Sequence, residues 1–297
     1  MKYHLGFDIG GSSLKAVLVK NLAREKSKGR KIIKSEIEDL PDNLEKLLYL
    51  VSKIVSDFTI GIKPTEIEGI GFALAGVLDL KREKMLVSPN IKYLNNQPIK
   101  KLLVQKLKPY RIKIEHDVHC FLLAETRIGL AKFFKNVFYL TLGTGIGGAW
   151  MVDGKIILGS HGAAGEIGHM IINLKTIKGE DLEELAANKF IKKWLGIGSI
   201  EARQRAQAGD KKAREIFAQL GQNLGIGLAN IINIFDPEAI VLSGGLIEAK
   251  EFIWPTAKEE IEKFVISPAA KKTKILFSQL GQFGGAIGAT LLFSKPG

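Results

Sequence analysis

Twice along this chain an apolar strand runs into a glycine turn and directly out into a second strand. The first unit is FDIGGSSLKAVLV, residues 7–19, and the second is LTLGTGIGGAWMV, residues 140–152. Each opens one half of the chain, and each half continues with alternating strand and helix patterns. That order predicts two α/β domains. A length of 297 residues suits two domains, each able to bury a core of its own. The expected division is an N-terminal domain over 1–117 and a C-terminal domain over 118–283. A helix between about 117 and 135 would act as hinge, and the last helix, 284–295, would pack back on the first domain.

Periodicity places the elements. Strands are expected at Tyr3–Ile9, Leu14–Val19, Ile32–Glu36, Ile67–Leu74, Arg111–Ile114, Val137–Leu142, Ala149–Val152, Ala239–Leu242 and Lys274–Phe277. Leu44, Leu47, Leu48, Val51, Ile54 and Val55 recur at helical spacing, which predicts a helix over Pro41–Phe58 with Pro41 in the first helical position. One helix is expected over Leu182–Trp194 and another over Lys211–Phe235. Asp153-Gly154 between apolar runs predicts a hairpin.

The formal charge is +12. Lys20, Arg24, Lys26, Lys28, Arg30, Lys31 and Lys34 cluster against Glu25 alone, yet no aromatic residues interleave with them as a base-stacking surface requires. The cluster therefore reads as a solvated loop between strands, with no specific nucleic-acid partner. A lone cysteine, Cys120, rules out an internal disulfide and a Cys-rich zinc site and suits a reducing, cytoplasmic setting. No apolar run approaches the roughly 18 residues of a membrane span. Asp8 interrupts the first apolar stretch, so no signal peptide is expected.

Paired glycines let backbone N–H groups approach an anion with no Cβ in the way. In the first turn Gly10, Gly11, Ser12 and Ser13 offer such groups, Lys15 can reach a phosphate, and Asp8 offers a carboxylate to Mg²⁺ or its water. In the second turn Gly143, Thr144, Gly145, Gly147 and Gly148 offer the same. Gly244 and Gly245 follow a later strand, where a base or ribose can lie on bare backbone.

DIGGSSLK, EHDVH, LGTGIGGA, AGEIGH and LSGGL together resemble, in order and spacing, the ROK sugar kinases of the actin-like (ribonuclease H-like) ATPase superfamily. The resemblance runs from about residue 4 to residue 292. It implies an α/β fold of two ribonuclease H-like domains with an interdomain cleft, Mg·ATP on the glycine turns and a sugar beside it. ROK repressors carry an additional helix-turn-helix before the phosphate loop, so the kinase branch is the expectation here. Asp117 of EHDVH matches the family's catalytic Asp and would take a proton from the sugar hydroxyl. A helix N-terminus would keep it ionised. Glu166 and His169 of AGEIGH match a sugar-binding pair, Glu183 a further sugar-binding Glu, and Gly76 and Asn90 the sugar-side loop. His116 and His119 stand where the family usually has Asn on either side of the catalytic Asp, and His116 joins the expected sugar contacts.

Many relatives carry a Cys-rich zinc motif after the Gly-His pair. Between His169 and Glu183 this chain has no Cys, so no structural zinc is expected and Asn173–Asp181 must be ordered by packing or substrate. The leading expectation is an ATP-dependent kinase for a hexose or N-acylhexosamine, a homodimer or homotetramer with no membrane partner. Two alternatives remain at this point: polyphosphate as the donor, and a sugar-sensing protein that transfers nothing.

Overall fold

The computed structural model describes residues 2–21, 30–174 and 179–294. Arg24, Lys26 and Lys28 of the basic cluster, residues 175–178 of the expected loop and Lys295 of the expected last helix lie outside them.

Two compact units form. One comprises Met1–Lys132, Leu158–Ala164 and Gln279–Gly297, the other Phe133–Ile157 and Gly165–Ser278. In the first, β1 (Tyr3–Ile9), β2 (Ser13–Asn21) and β3 (Arg30–Asp39) form an antiparallel meander. After α1 (Leu44–Phe58), β4 (Ile67–Leu74) lies parallel to β1. A small hairpin, β5 (Val77–Leu78) and β6 (Met85–Val87), and α2 (Ile99–Lys106) precede β7 (Ile112–His116), parallel to β4, and α3 (Asp117–Arg127). The sheet order is β3-β2-β1-β4-β7.

The second unit repeats this plan. β8 (Val137–Leu142), β9 (Ile146–Val152) and β10 (Lys155–Ile156) form the meander. The short pair β11 (Ile171–Asn173) and β12 (Glu180–Asp181) leads to α4 (Leu182–Ala186), α5 (Asn188–Leu195), α6 (Ser199–Gln207) and α7 (Lys211–Phe235). β13 (Ala239–Ser243), α8 (Lys250–Phe264) and β14 (Lys274–Phe277) complete the order β10-β9-β8-β13-β14; α9 (Gly284–Leu291), the last helix among the described residues, belongs to the first unit. Each unit has the same two antiparallel and two parallel pairings, the ribonuclease H-like plan that the resemblance implies.

Strand alternation sets which side chains face where. Leu5, Phe7 and Ile9 of β1 and Leu14, Ala16 and Leu18 of β2 share one core with Leu47, Val51 and Ile54 of α1. Val17 and Val19, on the opposite phase, join Ala124 of α3 and Ala286 and Leu291 of α9. Asp8 is out of phase with Phe7 and Ile9, so β1 directs it to the α3–α9 side. The second unit has its own core, in which α7 packs through Phe217, Leu220, Leu224 and Leu228.

Several expectations are corrected. α1 begins at Leu44, not Pro41, because Asn43 caps it by accepting the Lys46 N–H at 2.9 Å. The expected helix over Leu182–Trp194 is two helices broken at Ala187, whose backbone is extended. The break lets the Asn188 N–H donate to the Gly143 carbonyl at 2.9 Å, tying the helix pair to the second turn. The first unit does not end at residue 117: it keeps α3, which lies against α9 so closely that a Cβ on Gly288 would overlap the Cys120 carbonyl oxygen. Among the described residues no helix is long and apolar enough to cross a membrane.

Gly288→Ala supplies a sharp test of this packing. In an open helix the change would add up to about 1 kcal/mol of stability. Here overpacking should remove about 1–3 kcal/mol, read as a lower urea midpoint; an unchanged or higher midpoint would contradict the α3–α9 contact.

Candidate active site

In the first unit β1, β4 and β7 are parallel, so their carboxyl ends and the turns that follow lie at one edge of the sheet, the usual place for ligands in such folds. β1 ends in Asp8 and Ile9 and turns through Gly10 to Ser13, where the Gly10 N–H donates to the Ser13 carbonyl at 3.0 Å. β4 ends at Leu74, and the Ala75 N–H after it donates to the Ile9 carbonyl at 3.1 Å. Gly76, at φ 138°, follows. Ser88 Oγ donates to the Ala75 carbonyl at 2.7 Å, which holds the Ser88–Asn90 segment to this edge. Asn90 packs on Gly11. β7 ends at His116, and Asp117 opens α3. The structure thus gathers Asp8, Gly10, Gly11, Gly76, Asn90, His116 and Asp117 at one sheet edge, with Lys15 paired across from Asp8.

The electrostatics are set by burial. Only 6% of the Asp8 side chain is exposed, and its partner Lys15 Nζ stands at 3.9 Å. Burial pushes the Asp8 carboxyl up to about 7; Lys15 opposes this, and the charge of Asp117 adds to it. Asp117 Oδ1 accepts the Val118 N–H at 2.9 Å and has His116 Nε2 at 3.4 Å. Burial pushes Asp117 up to about 6, against the Val118 amide and the charges of His119 and Lys15. The helix N-terminus therefore does not hold this acid at its ordinary value, because desolvation outweighs it. A quarter of its side chain remains exposed, so a ligand can reach it.

Glu115 and Arg82 were not singled out from the sequence. Glu115 Oε1 accepts from Arg82 Nε at 2.7 Å, from the His116 amide at 2.8 Å and from His119 Nδ1 at 3.0 Å. Burial raises this carboxyl, but the His119 and His116 hydrogen bonds and the Arg82 charge outweigh it and leave it below the ordinary carboxylate range. The EHDVH string contains Glu115, but Arg82 comes from 33 residues away, and no local pattern announces the meeting.

In the second unit the turn Gly143–Gly145 joins β8 to β9. Gly147 is not in that turn; it lies in β9, paired with Thr141. Glu183 is neither a free helical charge nor an unengaged acceptor: its Oε2 accepts the Ile146 N–H at 2.8 Å and its Oε1 accepts from Lys189 at 2.9 Å. It braces the exit of the second glycine turn. AGEIGH lies on β9 through two glycines: a Cβ on Gly165 would come within 2.7 Å of the Gly148 carbonyl oxygen, and one on Gly168 would overlap that of Ile146. Glu166 is exposed, and so is His169, at 68%. His169 Nδ1 lies 3.3 Å from Asp181 Oδ2; a carboxylate can only accept, so this nitrogen carries the proton. Asp181 also caps α4 by accepting the Glu184 N–H at 2.7 Å.

Gly244, at φ 93°, ends β13 against Leu142. Gly245 opens into a cavity of about 340 Å³ lined by Ser199, Ile200, Arg203, Gln207 and Glu248, among others. An aromatic base and its ribose would find apolar surface there beside ionic groups.

The ROK family profile matches residues 4–296. The N-acetyl-D-glucosamine kinase of Vibrio vulnificus is 28% identical over 98% of this chain and 99% of its own. A crystal structure of a ROK hexokinase from Thermus thermophilus superposes with a TM-score of 0.80 at 26% identity, covering 97% of both chains. That of a ROK family glucokinase from Streptomyces griseus, in complex with glucose and AMPPNP, does so with a TM-score of 0.80 at 25% identity, covering 98% of both.

The raised Asp8 carboxyl carries a stability signature. Between the unfolded value near 4 and the folded value of about 7, the folded chain holds a proton that the unfolded chain has released. Stability from this group therefore falls as pH rises through that window. Asp8→Asn should melt above the wild type near pH 8, with the gap closing by about pH 4; a higher wild-type melting temperature near pH 8 would contradict the assignment.

Proposed function

The chain belongs to the ROK family, and on that premise we propose that it transfers the γ-phosphoryl group of ATP to a hydroxyl of a hexose or N-acylhexosamine, with Asp117 as general base. The observation that carries this is the tuning of Asp117. A partly exposed carboxyl pushed up to about 6 at the sheet edge that bears the first glycine turn is ionised near neutral pH, yet basic enough to take a hydroxyl proton. The acceptor oxygen forms its bond to the γ-phosphorus, its proton passes to Asp117, and the bond to the bridging oxygen breaks to release ADP.

The other residues take supporting roles in this reading. Backbone N–H groups at Gly11, Ser12 and Ser13, the Lys15 ammonium, and the turn of Gly143, Thr144 and Gly145 are assigned to phosphate oxygens, with Gly10 closing the first turn through its own N–H on the Ser13 carbonyl. Gly244 and Gly245 are assigned to the nucleoside, a role supported by the cavity beside them. Gly76, Asn90, His116, Glu166 and His169 are assigned to sugar hydroxyls; the proton on His169 Nδ1 leaves its Nε2 to meet a ligand. Glu183, matched to a sugar contact by the family pattern, holds the second turn here and is assigned to that turn.

Mg²⁺ fits Asp8. A carboxylate that is buried, incompletely compensated by Lys15 and flanked by phosphate-binding backbone is a hard oxygen donor lacking positive charge. When bound with the nucleotide, Mg²⁺ would supply charge neutralisation for the phosphates.

Two results test the reading. Mg·ATP with a panel of hexoses and N-acylhexosamines should release ADP only when an accepted sugar is present; sugar binding without ADP release would overturn the reading. The rate should fall as pH drops below about 6, the value at which Asp117 takes up its proton. Asp117→Asn should cost roughly 10²- to 10⁴-fold in kcat, abolish that acid limb and leave nucleotide affinity nearly intact. Near-normal turnover in this variant would remove Asp117 from the role.

A further inference from the structure

The Asp117 carboxylate accepts the amide of Val118, its neighbour in the chain. Its location therefore depends on how the chain leaves β7 and enters α3, and that junction is tied to a single atom. Glu115 Oε1 receives the Arg82 guanidinium, the His116 amide and the His119 ring, all within 3.0 Å. The three donors come from three places: the turn after β5, the peptide at the junction itself, and the first turn of α3. We propose that Glu115 is a positioning residue for the candidate base, fixing the β7–α3 junction so that Asp117 stands at the sheet edge in one orientation.

The surroundings are built for this. Arg82 sits in a turn closed by Asp79, whose Oδ1 accepts the amides of Glu83 at 2.7 Å and Lys84 at 2.8 Å. Arg82 itself adopts the left-handed region, φ 55°, which a long side chain enters only when its contacts repay the strain. Its guanidinium also donates to the Asp79 carbonyl at 3.1 Å, so it is held at both ends. The Arg82, Glu115 and His119 side chains are 13%, 15% and 3% exposed, and an ion pair so shielded from water is costly to break by removing one partner. Because a carboxylate only accepts, His119 must carry its proton on Nδ1, which fixes the ring. That ring meets His116 edge to face at 5.4 Å, and His116 Nε2 is 3.4 Å from Asp117 Oδ1. Glu115 thus reaches Asp117 by two routes, the junction backbone and the two imidazoles.

The inference rests on the general-base reading above, and the experiment separates the two. The acceptor is whichever of glucose, mannose, N-acetylglucosamine and N-acetylmannosamine turns over fastest with Mg·ATP; if none does, the kinase reading itself fails. Single-turnover rates are measured for the wild type, Glu115→Gln, Asp117→Asn and the double variant, with KM for both substrates. Glu115→Gln should lower kcat by up to about 100-fold, the cost of a displacement near 1 Å, while both KM values stay close to wild type. In the Asp117→Asn background the same change should have little further effect, since a group that acts through Asp117 has nothing left to position. General damage to the fold would instead lower the rate by the same factor in both backgrounds, and that result would overturn the inference, as would a Glu115→Gln rate equal to wild type. An unimpaired Asp117→Asn would refute the base and the positioning role together. If Glu115→Gln does not fold, Arg82→Gln removes one donor and leaves the other two; it should show a smaller loss of kcat with the same non-additivity, and equal losses in both backgrounds would again refute the proposal.

Discussion

Carboxylates in poorly solvated places govern the first unit. Asp8 is carried by β1 to the side of the sheet covered by α3 and α9, and Asp117 opens α3 at the same edge. Neither has enough hydrogen bonds or positive charge around it to match water, so both are pushed above their ordinary values. A fold that only needed stability would place Asn or an apolar residue there. The proposed function accounts for the arrangement: phosphate, cation and acceptor hydroxyl would complete the site. Glu115, two residues before Asp117, shows the contrast: also largely withdrawn from water, it accepts from three donors and stays below the ordinary range. Of these three acids, the one that accepts from three donors is held low, and the two with fewer partners are those to which the proposed chemistry falls.

The second unit uses the same sheet plan for another task. Its glycine turn is braced from behind by Glu183 and Asn188, which explains why α4 and α5 part at Ala187. A turn held this way has its shape fixed before any ligand arrives, which is the value of preorganisation. The AGEIGH segment is laid on β9 by Gly165 and Gly168, so Glu166 and His169 are fixed relative to that turn by backbone packing. His169 and Asp181 form a hydrogen-bonded pair between that segment and α4.

Much of this was legible in the sequence because it depends on local periodicity. The two strand–turn–strand motifs stand out since glycine pairs interrupt strict alternation, and α7 is found at its expected bounds since its apolar stripe runs unbroken from Asp210, which caps it, to Phe235. What was not legible depends on partners distant in sequence. Ala187 has no feature that forbids a helix; the second turn breaks it there. Pro41 suits a helix start, but Asn43 offers the stronger cap. Arg82 looks like any turn cation until the fold brings it to Glu115. Glu183 was assigned by family pattern to a ligand, and only coordinates reveal the Ile146 amide and Lys189 already on it.

The most direct measurement is a carbon-detected NMR titration of the aspartate carboxyls in the free protein, with Asp8→Asn and Asp117→Asn spectra assigning the two signals. The account predicts midpoints near 7 for Asp8 and near 6 for Asp117, with the Asp8 midpoint falling when Mg·ATP is added. Two ordinary carboxyls, both titrating near 4, would contradict it.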